Sequence, residues 1–366
     1  MPASFIRLPV RSSRRRGLVG VLCLGAALLA VGLGVAGLAR AGDPEVAVTL
    51  VPLSGLCGGT SAASQRDIAE RLAVRAWYAR KPESAGSAAR LPVIFFNAGW
   101  GGSAEGHMNQ IDALVQRGYV VIGIDQKGPE AYKAFVDFSN EEAFKRTRAA
   151  VDLKAGAFAK DNSAVLDILQ AAIPCSENHD VASVLKRLDF DRVGIMGYSF
   201  GGAVAAETSR QDPRFKAAVN LDGWLFGDVS RLGLQRPFLE ISDDSGLPTA
   251  ADLNSSDTVL RMTSKLTDED YTQVRANMDR YGGYFLVMTG SRHQSFVDAS
   301  QRSFLARMAS LLPSANRTIE AVNSYAGAFL DQYVAGKASD LGRLIASRDD
   351  RVKVIFAKPP AVEATQ

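Results

Sequence analysis

Gly197-Tyr198-Ser199-Phe200-Gly201-Gly202 is the stretch on which the reading of this chain turns. Before it runs Arg192-Val193-Gly194-Ile195-Met196, a short apolar segment that reads as a buried strand. After it runs Ala203-Val204-Ala205-Ala206-Glu207-Thr208, which reads as the first turns of a helix. A G-x-S-x-G between a strand and a helix makes a turn so tight that side chains two residues either side of the serine would collide. Gly197 and Gly201 remove those side chains, because glycine has no Cβ. The turn lifts Ser199 Oγ out of the sheet and aims it at a substrate. The N–H of Phe200, at the helix start, points at the same spot and can donate to an oxyanion. The competing reading is a glycine-rich loop that happens to contain a serine. The flanking strand and helix favour a nucleophile.

Outward from this turn, strands and helices alternate. Val46–Val51 and Leu72–Tyr78 are β-prone. Pro92-Val93-Ile94-Phe95-Phe96 and Tyr119–Asp125 are continuous apolar runs, as strands buried on both faces are. Met108–Arg117 and Asp161–Ala172 carry helical periodicity. Residues 126–160 are polar and helical, a surface helix or part of a lid. Cys175–Asp180, with His179, reads as a solvated loop. Phe215–Trp224, Pro237–Asp244 and Tyr284–Met288 supply further strands, the last of them closing the sheet. Ile319–Tyr333 reads as a terminal helix, and the tail beyond it holds a short β-prone Val352–Phe356. Units of roughly 30 residues in this alternation imply a mostly parallel central sheet with helices on both faces.

Catalytic groups of such sheets gather at the carboxyl ends of the strands. Ser199, Asp222, Asp243 and His293 all fall there. The chain has three histidines. His107 comes early and His179 sits in a polar segment, so His293, after a late strand, is the candidate base. Asp222 and the pair Asp243-Asp244 compete for the role of its acid. Asp222 stands between Leu221 and Gly223-Trp224, where a carboxylate needs a partner. Asp243-Asp244-Ser245-Gly246 reads as a solvated turn. The loop Asn97-Ala98-Gly99-Trp100-Gly101-Gly102 lies where a second oxyanion N–H is required, and Trp100 is its candidate donor. Trp224, Phe226 and Phe296 are candidates for an acyl pocket or for the core.

The first 41 residues differ from the rest. They hold six arginines and no acid, an apolar run from Leu18 to Leu38, and Ala39-Arg40-Ala41 at a signal-peptidase spacing. That pattern predicts a cleaved secretory signal over 1–41, with a twin-arginine flavour in Ser13-Arg14-Arg15-Arg16-Gly17-Leu18, and one catalytic domain over 42–366. An uncleaved membrane anchor is the alternative. Bulky Leu22 argues against lipidation of Cys23. Removing six of the 42 basic residues leaves 36 against 39 acids, so the mature chain is mildly acidic and shows no nucleic-acid stripe. Cys57 and Cys175 remain, either as a disulfide or as two unrelated thiols.

Three segments together resemble the platelet-activating-factor acetylhydrolase-like family of α/β-hydrolases, related in fold to dienelactone-hydrolase-like esterases and cutinase-like polyester hydrolases. They are Gly197–Gly202, Leu221-Asp222-Gly223-Trp224 and Gly290-Ser291-Arg292-His293-Gln294-Ser295-Phe296-Val297-Asp298. The resemblance spans roughly residues 90 to 335, and implies that Asp222 is the acid, His293 the base, and Trp100 and Phe200 the oxyanion donors. The chain departs from the family at Tyr198 and at Ala98-Gly99, where histidines are usual. The expectation is an exported serine hydrolase, periplasmic or secreted, that cleaves small or lipid-like carboxylic esters without metal or cofactor. A peptidase or amidase with the same triad, and a non-catalytic binding protein on this fold, are the other readings.

Overall fold

The computed structural model describes residues 45–56, 61–80, 90–172, 179–298 and 313–360. The expected signal at 1–41 and the Cys57–Cys175 pair lie outside the described residues.

Among the described residues nine strands form one sheet: β1 (Val46–Leu50), β2 (Leu72–Ala79), β3 (Leu91–Asn97), β4 (Val120–Gln126), β5 (Leu188–Tyr198), β6 (Phe215–Leu221), β7 (Phe238–Ser242), β8 (Gly283–Met288) and β9 (Val352–Lys358). Their order across the sheet is β1-β2-β4-β3-β5-β6-β7-β8-β9. From β4 to β8 every neighbour is parallel, while β1, β2 and β9 join antiparallel at the edges. This is the α/β-hydrolase fold, with a mostly parallel sheet and helices on both faces.

The apolar runs divide between two cores, because successive strand side chains point to opposite faces. Val93 and Phe95 of β3, with Val193 and Ile195 of β5, enter one core. Ile94, Phe96 and Met196 enter the other. Helices that cover the first core include α1 (Ala62–Arg71), α3 (Glu141–Ala172), α4 (His179–Leu185), α5 (Phe200–Gln211) and Thr258–Tyr281. The second is closed by α2 (Met108–Gln116) and the helix Pro313–Tyr333.

Three expectations need correction, and one helix is new. The segment 126–160 and the helix expected over 161–172 are not separate, since one 32-residue helix runs from Glu141 to Ala172. Its inner stripe of Phe144, Val151, Ala155, Ala159, Val165 and Leu169 keeps one buried face throughout, so tertiary packing carries it through its polar first half. His179 and Asp180 open α4 rather than ending a loop. Tyr284–Met288 does not close the sheet: the tail, β-prone as read, forms β9 and covers the edge of β8. Its mostly solvent-facing side chains and two lysines blunt the sheet edge that it creates. The 24-residue helix Thr258–Tyr281 was not anticipated; its spaced Met262, Leu266, Val274 and Met278 were the available signal.

Among the described residues, no helix is long and apolar enough to cross a membrane.

Candidate active site

β5 ends at Tyr198 and α5 begins at Phe200, so Ser199 alone makes the turn. Its φ of 54° and ψ of −126° lie in a region that non-glycine residues rarely adopt. Such a conformation costs on the order of 1–3 kcal/mol and persists only where neighbours over-determine it. Here Ser199 N–H donates to Leu221 O (2.8 Å), and Gly202 N–H donates to Ser199 O (2.9 Å). A Cβ on Gly197 would overlap the Gly201 carbonyl, and one on Gly201 would overlap the carbonyls of Asn97 and Ala98. Both glycines are therefore sterically required, and the Gly201 contact sets the loop after β3 directly against the elbow.

Ser199 Oγ lies 3.0 Å from His293 Nε2, and His293 Nδ1 lies 2.6 Å from Asp222 Oδ2. With Nδ1–H donating to the carboxylate, Nε2 is free to accept the serine proton. Burial works against the imidazolium. The hydrogen bond and charge of Asp222, with the charge of Asp243 added, outweigh it and raise the His293 pKa above its ordinary value. The side chain is crowded by protein yet 44% exposed, so burial opposes its charge only partly.

The Asp222 carboxylate is 12% exposed. Its second oxygen, Oδ1, accepts the N–H of Asp243 (2.7 Å). The rival acids are turned elsewhere. Asp243 accepts from Ser245 N–H (2.8 Å) and Ser245 Oγ (2.7 Å). Asp244 accepts from Gly290 N–H and Lys353 Nζ. The Asp243 turn is not solvated as its composition suggested, because Asp243 is buried. Burial, and after it the charge of Asp222, raise the Asp243 pKa.

Tyr198 has a place that composition did not suggest. Its hydroxyl donates to the backbone carbonyl of His293 (2.9 Å), and its ring lies 4.8 Å from the imidazole at a 30° tilt. His107 packs on Tyr198 (5.0 Å between ring centres) and on Phe96 (5.0 Å), and its Nδ1–H donates to Phe296 O (3.3 Å). Asp298 accepts the N–H groups of Met108 (2.7 Å) and Asn109 (3.2 Å) at the start of α2. The segment carrying His293 is thus fastened to α2 and to the elbow.

On the oxyanion side, Phe200 is the first residue of α5, so its N–H has no acceptor within the helix. Trp100 lies in the turn after β3. Its ring is 4.9 Å from Phe200, and its indole N–H donates to Tyr132 O (3.0 Å). Asn97 and Asn162 exchange amide hydrogen bonds (2.9 and 3.2 Å), and Asn162 also donates to Thr208 Oγ1 (2.9 Å). These bonds tie the loop to α3 and α5. Half-buried Trp100, Phe135 and Phe158 pack on buried Phe200, which meets Phe226, and Trp224 packs on Phe138 of the same cluster, so an aromatic wall stands beside the serine. Of the three pocket candidates, Phe226 and Phe296 are core and Trp224 stands at the margin. Among the described residues, no group of three His, Cys, Asp or Glu side chains is placed to hold a metal ion.

Fold and site together define an α/β-hydrolase in which a serine, a histidine and an aspartate meet. Within that class the chain is similar, over part of its length, to the platelet-activating-factor acetylhydrolases. The family described as platelet-activating factor acetylhydrolase, isoform II, matches residues 165–334. Platelet-activating factor acetylhydrolase of Cavia porcellus is 26% identical over 163 residues, 43% of this chain and 33% of that protein. The Gallus gallus enzyme is 30% identical over 114 residues, 30% of this chain and 23% of that protein. The match thus spans a third or less of the length of these relatives. A ferulic acid esterase from Streptomyces cinnamoneus has the same fold, with a TM-score of 0.60 and 22% identity over 87% of this chain and 98% of that one.

Proposed function

We propose that this chain is a serine hydrolase of carboxylic esters, working through an acyl-enzyme. The observation that carries the reading is the unbroken contact from Ser199 Oγ through His293 to Asp222, at 3.0 and 2.6 Å. His293 takes the Ser199 proton as Oγ attacks the ester carbonyl. Asp222 holds the imidazole in the tautomer with Nδ1 protonated and stabilises the imidazolium. The N–H groups of Phe200 and Trp100 receive the oxyanion. His293 then protonates the leaving alcohol, and water, activated by the same base, releases the acid. The names of the relatives, acetylhydrolases of a lipid ester, support a small or lipid-like ester as substrate. The aromatic wall around Trp100 and Trp224 supports an apolar group on it.

Export as a cleaved precursor, leaving a single catalytic domain over 42–366, belongs to the same proposal and rests on the arginine-rich start, the apolar run and Ala39-Arg40-Ala41. N-terminal sequencing of the protein from its host checks the cleavage.

The decisive experiment is labelling by a serine-directed phosphonate probe, with turnover of short-chain aryl esters, on wild type and Ser199→Ala. The variant should lose labelling altogether and turnover by roughly 10⁴- to 10⁶-fold while melting normally. Near-normal esterase activity in it would overturn the reading.

A further inference from the structure

Asp222, like Ser199, sits in left-handed backbone, with φ of 58°. It is the first residue after β6, in a conformation that aspartate adopts more readily than most side chains but that remains uncommon outside glycine. One side chain surrounds the turn. Asn220 is fully buried. Its Oδ1 accepts Gly223 N–H (3.1 Å), and its Nδ2 donates to Gly223 O (2.6 Å). One amide therefore grips both backbone polar groups of the residue that follows Asp222. The same Oδ1 occupies the space that a Cβ on Gly202 would need, in the first turn of α5, and a Cβ on Gly223 would overlap the Ser199 carbonyl. The acid turn and the nucleophile turn are thus packed backbone to backbone, with Asn220 wedged between them.

Asn220 is in turn oriented by Glu240. The two residues face each other in register on β6 and β7, and Asn220 Nδ2 donates to Glu240 Oε2 (2.7 Å). Glu240 Oε1 accepts from Ser242 Oγ (3.2 Å). Glu240 is 2% exposed, and among the described residues no Lys, Arg or His forms an ion pair with it. Burial, with the nearby charges of Asp270 and Asp222 adding to it, holds its carboxyl well above the usual carboxylate range. A lone buried anion beside two other acids would be costly, whereas a neutral carboxyl serves as a hydrogen-bond partner. This arrangement does nothing for the sheet that a pair of apolar residues would not do. What it adds is orientation at the Asp222 turn.

We propose that Asn220, oriented by Glu240, is a positioning residue that holds Asp222 in its left-handed turn and so keeps its carboxylate on His293. The proposal rests on the serine-hydrolase reading above. Ester turnover is measured across pH for wild type, Asn220→Ala, Glu240→Ala and Glu240→Gln, with Ser199→Ala alongside. Asn220→Ala should lower kcat about 10- to 100-fold, the scale of a misplacement near 1 Å, with KM within about twofold. The acid limb of kcat/KM should move to lower pH, because a slackened Asp222 no longer raises the His293 pKa. Glu240→Ala should shift the same two quantities, and Glu240→Gln, which keeps a neutral acceptor of the same shape, should recover most of the loss. A folded Asn220→Ala enzyme with unchanged kcat, or with lowered Tm and an unmoved acid limb, overturns the proposal by assigning Asn220 a purely structural part. If Asn220→Ala does not fold, the glutamate pair decides, and equal turnover in Glu240→Ala and wild type overturns it. Full activity in Ser199→Ala would instead overturn the hydrolase reading itself, so the two failures are distinguishable.

Discussion

In the proposed mechanism three residues carry the chemistry, and two of them, Ser199 and Asp222, are held in backbone conformations that cost free energy. Strain at both ends of one hydrogen-bonded chain argues for preorganisation: the groups are in place before the substrate arrives, so little reorganisation accompanies attack. Asp222 and Asp243 differ sharply in what they do there. Asp222→Asn leaves His293 Nδ1–H facing an amide and favours the wrong tautomer, so turnover should fall on the order of 10⁴-fold. Asp243→Asn keeps the backbone N–H that Asp222 uses and should stay within about tenfold of wild type. Steady-state kinetics on the two variants checks the contrast, and the reverse order would move the acid to Asp243. The wild-type acid limb should lie above the ordinary histidine pKa, because Asp222 raises that of His293. The base works only when neutral, so activity is lost as pH falls through this value.

At the scale of elements, the ends of β3, β5 and β6 are in backbone contact with one another and with the start of α5, and β8 brings up the histidine. β5 delivers Ser199, β6 delivers Asp222 and β8 leads to His293, while the loop after β3 lies on the first turn of α5. Gly201 is the pivot of that last contact. Gly201→Ala places a methyl group where the carbonyls of Asn97 and Ala98 now sit. Neither is the movable end of a side chain, so the loop must shift. The expected result is a loss of about 1–3 kcal/mol in stability, the usual cost of overpacking. Turnover should fall by about 100-fold or more if, as proposed, the Trp100 N–H receives the oxyanion, because the shift carries it away. Urea melts and ester kinetics on one preparation test both parts. A fully active variant would mean that this contact does not position the donor.

At the scale of the whole molecule, His107 couples acid stability to the site. It is buried among Phe96, Tyr198 and the Phe296 carbonyl, and burial pushes its pKa down from 6.5 to about 4, a hydrogen bond to Phe296 opposing this in part. Between those values the unfolded chain takes a proton that the folded chain refuses. Its contribution therefore falls as pH drops from 6.5 to 4, by about 3 kcal/mol in all. Buried Asp270 has the opposite slope, since burial pushes its pKa up to about 7 and its ionisation is penalised as pH rises from 3.8. The comparison of wild type with His107→Gln isolates the histidine. The variant's stability should change less between pH 6.5 and 4, as read by urea denaturation at each pH. Parallel pH curves for the two proteins would show that His107 keeps an ordinary pKa.

Much of this was legible in the chain itself because it is local. The elbow needs only two glycines, a serine and flanking residues with the right periodicity, all within a dozen positions. The buried strands announce themselves as unbroken apolar runs, since a parallel strand covered on both faces has no polar side to show. His293 could be picked out by its place after a late strand. What only the tertiary structure decided is long-range. Asp222 and Asp243 end adjacent strands, and just the turn at each strand end determines which carboxylate reaches His293. The polar half of the helix Glu141–Ala172 is held by packing rather than periodicity, and β9 is a strand because the edge of β8 was open to pair with it. Asn220 and Glu240 are unremarkable polar residues in two apolar strands until the register sets them face to face beneath the acid turn. Hydrogen bonds across 20 residues of sequence leave no periodic trace in it, because their partners are chosen by strand pairing and not by spacing along the chain.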